Sequence, residues 1–170
     1  TEIAIRSALT GHLVFSTLHT NDAVGGITRL LDMGVEPFLV GSSVRSFIAQ
    51  RLVRRLCPHC SLPSEHKDEE LEAIGFPLES ASLVRRPVGC ERCRNTGYAG
   101  RTALFEICMM STRMQELIQN RSAGSDLREL AIREGMVPLR KSGWQKVAEG
   151  VTSIAEVVRV TSNEVDILNE

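Results

Sequence analysis

The sequence predicts an α/β protein in three consecutive parts, and three observations carry that reading. Over residues 1–52, short apolar runs alternate with helix-cap signals. Over 53–102, two C-x-x-C pairs and the prolines Pro58, Pro63, Pro77 and Pro87 replace regular periodicity. Over 103–170, amphipathic stretches open at serine or threonine and close at glycine. Hydrophobic residues are 42% of the 170, so a core can form.

In the first part, Glu2–Leu9 has helical patterning and Thr10-Gly11 stops it. Leu13-Val14-Phe15 is a short apolar run bounded by turn residues, which predicts a buried strand. Asn21 or Asp22 caps a helix through Met33, ended by Gly34. Pro37 opens another helix carrying Phe38, Leu39, Val44 and Ile48. Arg51-Leu52-Val53-Arg54 can finish that helix or form a strand, and the strand is favoured. The middle part, with a charged stretch over 65–72, is short of core material and needs a staple. After Thr102 the chain is expected to turn helical. Ser111 caps a helix with Met114, Leu117 and Ile118, and Ser125 caps one with Leu127, Leu130 and Ala131 that closes at Gly135. A third runs from Pro138 to Glu149 and ends at Gly150, and Thr152 or Ser153, with Glu156 three places after Ser153, opens the last.

Net charge is −1 and aromatic residues are only 4%, with one Trp and one Tyr. That excludes a global field drawing the molecule to nucleic acid and is thin for reading bases by stacking. No apolar run approaches the ~18 residues of a membrane span and no signal peptide opens the chain, so a soluble intracellular protein is expected. The first residue is Thr1, which points to a fragment or a processed chain.

A P-loop needs Gly-Lys before Ser or Thr, because the lysine must reach the β- and γ-phosphates. The three lysines follow His66, Arg140 and Gln145, so the chain holds no P-loop.

Cys57-Pro58-His59-Cys60 and Cys90-Glu91-Arg92-Cys93 form two knuckles, each able to aim two sulfurs at one ion. Together they supply the four thiolates of a closed tetrahedral zinc site. The 29 residues between the knuckles imply an inserted excursion, and Gly97 and Gly100 suit the turn after the second. A disulfide framework is disfavoured in an intracellular chain, and duplication of the motif argues against a redox pair. His59 and His66 are possible substitutes, but four cysteines suffice; Cys108, in the apolar run 104–110, reads as a buried thiol. Arg45, Arg51, Arg54 and Arg55 precede the first knuckle, and Arg85, Arg86, Arg92, Arg94 and Arg101 surround the second. They read first as local compensation for a zinc–thiolate centre of charge −2, with phosphate binding as the alternative.

Ser16, Thr17, His19, Thr20 and Asn21 follow the expected strand, where ligands sit in open α/β sheets. Hydroxyl and imidazole groups there can sense a γ-phosphate; equally, they can form a capped, satisfied loop.

The runs TGHLVFSTLHTNDA, TRLLDMGVEP, AQRLVRRLCPHC and GCERCRNTGYAGRTALFE, in that order, with the tail SGWQKVAEGVTSIAEVVRVT, closely resemble the type II secretion and type IV pilus-assembly ATPases, of the general secretion pathway protein E kind. The resemblance covers the whole chain. It implies the C-terminal portion of a RecA-like P-loop ATPase core over 1–52, a tetracysteine zinc subdomain over 53–102 and a small α-helical subdomain over 103–170. Positions 10–21 match the family's histidine box, with His12 and His19 as its histidines in catalytic roles and Thr17 and Thr20 beside the nucleotide. Cys57, Cys60, Cys90 and Cys93 match its zinc ligands. Retraction-type motors lack the paired cysteines, so the assembly or secretion branch is implied.

The complete protein is expected to be a cytoplasmic hexamer that hydrolyses Mg-ATP, meets an inner-membrane platform through partners, and neither inserts in the bilayer nor binds nucleic acid. The chain departs from the family pattern by starting beyond the Walker B region and lacking Walker A, so it is expected to be inactive alone. The alternative functional class is a stand-alone zinc-ribbon nucleic-acid-binding module. A zinc-knuckle chaperone module is a third, although its cysteine motif would repeat several times.

Overall fold

The computed structural model describes residues 1–162, and positions 163–170 of the expected helical segment lie outside the described residues. The chain divides into two compact units, Thr1–Ala49 with Phe105–Pro138 and Gln50–Leu104 with the chain from Leu139. Each unit joins two separated stretches of the chain.

In the first unit, α1 (Glu2–Leu9) stops at Thr10, as its Thr-Gly signal predicts. α2 (Val24–Asp32) is capped from outside by Asp22, whose Oδ1 accepts the Gly25 N–H at 2.7 Å. The same carboxylate holds Arg128 at 2.9 Å with both side chains largely buried. α3 (Pro37–Ser43) starts on proline, where the missing N–H costs nothing. It ends before Val44, which is extended, so Ile48 belongs to β1 (Ser46–Leu56) rather than to a helix. The period-two burial of β1, with Phe47 and Ala49 inside and Ile48 outside, explains the change.

A second correction follows at β4 (Tyr98–Met109), which occupies ground expected to be helical after Thr102. Leu104, Glu106 and Cys108 are buried while Phe105, Ile107 and Met109 are exposed, which is a strand's alternation. The inward carboxylate and outward apolar residues reverse the usual polarity and hide that alternation in the sequence. β1 and β4 form a two-stranded sheet. In this unit Met110 N–H closes the pairing onto Arg45 C=O.

The expected strand at Leu13-Val14-Phe15 is absent: residues 12–20 carry no regular structure, and these three side chains are 78%, 36% and 87% exposed. A strand exists only where a neighbour takes up its ladder hydrogen bonds. Among the described residues β1 pairs with β4 and β2 with β3, which leaves this run no partner.

α5 (Thr112–Gln119) is capped by Ser111 Oγ, which accepts the Met114 N–H at 3.0 Å. α6 (Gly124–Arg133) begins one residue ahead of the expected cap, so Ser125 lies inside the helix and Ala123 precedes it without a side-chain bond. α3 packs on α5, and α2 on α6, around Ile27, Val40, Met114, Ile118 and Leu127.

The second unit holds the remainder of β1 and the start of β4, set antiparallel where Cys57 N–H donates to Gly97 C=O at 2.9 Å. The excursion between the cysteine pairs contains β2 (Leu62–Pro63), α4 (Asp68–Ala73), a 3-10 turn over Leu78–Leu83 and β3 (Arg85–Arg86). β2 and β3 pair antiparallel, Leu62 opposite Arg86. The excursion buries only Leu71, Phe76 and Val84 in its core, too little to close by itself. α7 (Leu139–Ala148) and α8 (Ile154–Thr161) supply the rest through Trp144, Val147 and Val157, with Phe76 set edge-on to Trp144 at 5.4 Å.

α7 and α8 approach so closely at Gly143 that an added Cβ would lie 2.4 Å from Val157 Cγ1. Alanine is the better helix former by about 1 kcal/mol, yet overpacking a core site costs about 1–3 kcal/mol. Gly143→Ala should therefore lower the denaturant midpoint of this unit rather than raise it, as read by Trp144 fluorescence.

Candidate functional site

The second unit brings the four cysteines of the two knuckles together, their sulfurs all within 4.8 Å of one another. The separations are 4.0 Å for Cys57–Cys90, 3.8 Å for Cys60–Cys93 and 3.7 Å for Cys90–Cys93. Sulfurs at the corners of a tetrahedron with metal–sulfur bonds of about 2.3 Å lie about 3.8 Å apart, so the set fits one ion. A disulfide needs about 2.05 Å, and all five cysteines are free. His59 and His66 are outside the set, and Cys108 is buried in the other unit.

Backbone amides converge on two of the sulfurs. Gly89 N–H donates to Cys60 Sγ, and the N–H groups of Cys90 and Gly97 donate to Cys93 Sγ. Gly97 reaches its place with φ +77, and a side chain there would strike Pro87. Burial opposes charge on Cys93, but the amides of Cys90 and Gly97, with the neighbouring thiols, outweigh it and bring the thiol down to about 6. Cys60 goes the other way: burial and the adjacent thiols push it up to about 11 against the Gly89 amide. An ion bound by all four sulfurs must displace the thiol protons.

The arginines around the site divide. Arg54 and Arg85 are engaged internally, Arg54 on Glu156 and Arg85 on Ser61, while Arg92 Nη1 lies 3.1–3.2 Å from both ring nitrogens of His59. Arg45, Arg55, Arg86, Arg94 and Arg101 are exposed.

The sequence reading missed a carboxylate centre beside the cluster. Glu156, 1% exposed, accepts Arg54 N–H and Arg54 Nη2 at 2.8 Å each, and Arg159 Nε and Nη2 at 2.9 Å each. Burial opposes its charge, but the hydrogen bonds from Arg159 and Arg54 outweigh it and hold the carboxyl down to about 2. The only signal in the sequence was Glu156 three places after Ser153; its partner Arg54 lies 102 positions away.

The histidine segment is placed but not assembled into a site. His12, Thr17 and His19 are exposed and Thr20 is half-buried. Thr10 Oγ1 meets His12 Nδ1 at 3.1 Å. The cysteine cluster and the histidine segment belong to different units.

A carboxyl held below its ordinary value stabilises the fold above that ordinary value and ceases to as pH falls toward about 2. Allowing for the half-exposed arginines, roughly 2–3 kcal/mol of this unit's stability should disappear between about pH 5 and pH 2. The stability gap between the wild-type chain and Glu156→Gln, read by urea titration, should be full at pH 6 and nearly closed by pH 2.

The family described as Type II/IV secretion system protein matches residues 1–159. Type II secretion system protein E of Aeromonas hydrophila is 47% identical over 163 residues, 96% of this chain and 32% of its own length. Type IV pilus assembly ATPase PilB of Myxococcus xanthus is 46% identical over 164 residues, 95% of this chain and 29% of its own. This chain thus spans about a third of the length of these relatives. A crystal structure of the pilus retraction motor PilT with bound ADP superposes with a TM-score of 0.62, over 99% of this chain and 38% of that one, at 18% identity. At that identity the shared property is the fold alone. With a family match running from residue 1 to residue 159, the chain belongs to the type II/IV secretion system protein family.

Proposed function

We propose that this chain is the C-terminal portion of a hexameric cytoplasmic ATPase that powers type II protein secretion or type IV pilus assembly. The observation that carries the reading is identity of 44–47% over 93–96% of the chain to relatives with those two names. The complete protein would work against an inner-membrane platform reached through partner proteins. No helix among the described residues is long and apolar enough to cross a membrane.

In this reading Cys57, Cys60, Cys90 and Cys93 hold one structural Zn²⁺, which supplies cross-links and no chemistry. The two knuckles aim the sulfurs, and the amides of Gly89, Cys90 and Gly97 offset their charge. His19 and His12 act in catalysis, and Thr17 and Thr20 contact the nucleotide, in the complete Mg-ATP-binding protein. Support comes from the exposure of His12, Thr17 and His19 on an irregular stretch, where polar groups are available to a ligand supplied from outside. No lysine here follows glycine, so the phosphate cradle must come from elsewhere in the complete protein.

Elemental analysis of reduced chain should find one zinc per chain, and Cys57→Ser or Cys93→Ser should lose it and disorder residues 53–102. A metal-free wild-type chain would remove the structural-zinc assignment.

The 170-residue chain alone should show no ATP turnover above background. In the complete protein, His19→Ala should abolish most turnover while changing stability by no more than about 0.5 kcal/mol, as for an exposed side chain. Normal turnover in that variant would remove His19 from the site.

A further inference from the structure

The last segment of β1 is held along both edges just before the first knuckle. Cys57 N–H pairs with Gly97 C=O of the strand that leaves the second knuckle. On the other edge, three groups of residues 151–156 take up the backbone. Val151 C=O accepts Leu56 N–H at 2.8 Å, Thr152 Oγ1 donates to Arg54 C=O at 2.8 Å, and Glu156 Oε2 accepts Arg54 N–H at 2.8 Å. The strand leaving the second knuckle is tied to the same segment. Tyr98 OH meets Ser153 Oγ at 2.8 Å, and the Arg54 guanidinium lies 4.1 Å above the Tyr98 ring. Ser153 in turn receives Glu156 N–H and caps α8.

These bonds converge on one carboxylate. Glu156 holds the backbone of Arg54, three residues before Cys57, and the side chain of Arg54, which covers Tyr98, the residue after Gly97. Gly97 N–H donates to Cys93 Sγ. We infer that Glu156, with Thr152, is a positioning residue for the tetracysteine centre: it fixes the spacing of the two knuckles so that four sulfurs present a ready tetrahedron. Its role is distinct from Arg159's, because Arg159 hydrogen-bonds the carboxylate and reaches Tyr98 only through electrostatics, with no hydrogen bond to either knuckle strand among the described residues. The inference rests on the reading of the four thiolates as a metal centre. It adds to that reading a group outside the ligand set and 63 positions beyond the last ligand.

The chemistry fits the assignment. Metal affinity is the binding energy of the ligands less the cost of arranging them, and supporting residues around a metal site are commonly worth 10–100-fold in affinity. Replacing the Glu156 carboxylate by an amide turns one oxygen into NH₂, which faces guanidinium and N–H donors and cannot accept from them.

The test uses the full chain and two metals. Zn²⁺ affinity is measured by chelator competition, and Co²⁺ loading by the thiolate-to-cobalt charge-transfer band and the ligand-field bands of tetrahedral cobalt. Glu156→Gln should weaken zinc at least tenfold and alter the cobalt ligand-field bands. Arg159→Ala should weaken zinc less than threefold. Val147→Ala, a core truncation with no bond to either knuckle strand, should do the same even where it lowers the melting temperature as much as Glu156→Gln. Should Glu156→Gln fail to fold, Thr152→Val decides, with an expected weakening of about threefold to tenfold. Zinc affinity within threefold of wild type in the folded variant, or equal weakening by Val147→Ala at equal loss of melting temperature, overturns the inference. A wild-type chain with no thiolate–cobalt band instead overturns the metal reading, and the inference with it.

Discussion

A carboxylate taken almost wholly out of water must either give up its charge or be surrounded by donors, and Glu156 is surrounded by four. Two of the four come from Arg54 and two from Arg159, so one side chain joins the end of β1 to the first turns of α8. The second unit depends on this because its apolar resources are divided. The excursion between the knuckles brings three residues to the shared apolar cluster and the two C-terminal helices bring three more, so neither set closes alone. Polar convergence at Glu156 and Ser153 supplies the register that a small apolar cluster cannot.

The first unit solves a similar problem. Glu106 is fully buried and accepts the Ala23 N–H at 2.8 Å, which gives an orphan donor at the start of α2 an acceptor. Asp22 beside it caps α2 and binds Arg128 of α6. In the first unit acidic side chains thus take up amides at the start of a helix, whereas Glu156, in the first turn of α8, takes its donors from Arg54 and Arg159.

Local chemistry was legible in the sequence and long-range partnership was not. Ser111 caps as its spacing predicts, and of the two candidates Thr152 and Ser153 it is Ser153 that caps, since a cap needs only the next three residues. The paired C-x-x-C motifs foretold the cluster because each knuckle fixes two sulfurs locally. Leu13-Val14-Phe15 looked like a strand, yet strand formation is decided by a neighbour that a run of three residues cannot specify. β4 escaped because Glu106 points inward and Phe105, Ile107 and Met109 point outward. The Arg54–Glu156 bond, closing a loop of 102 positions, had no local signal beyond a cap motif.

The discontinuity of the second unit bears on how this protein can be dissected. A piece cut anywhere between Leu104 and Leu139 keeps every cysteine of the cluster but none of Val151, Thr152, Ser153 or Glu156, and it leaves the edge of β1 with raw, unpaired peptide groups. The complementary piece keeps α7 and α8 but strands Trp144 and Val157 without the excursion that covers them. The tetracysteine module is therefore not a cassette that can be lifted out by choosing two boundaries. Grafting it would require both stretches, either joined by a new linker or reordered by circular permutation.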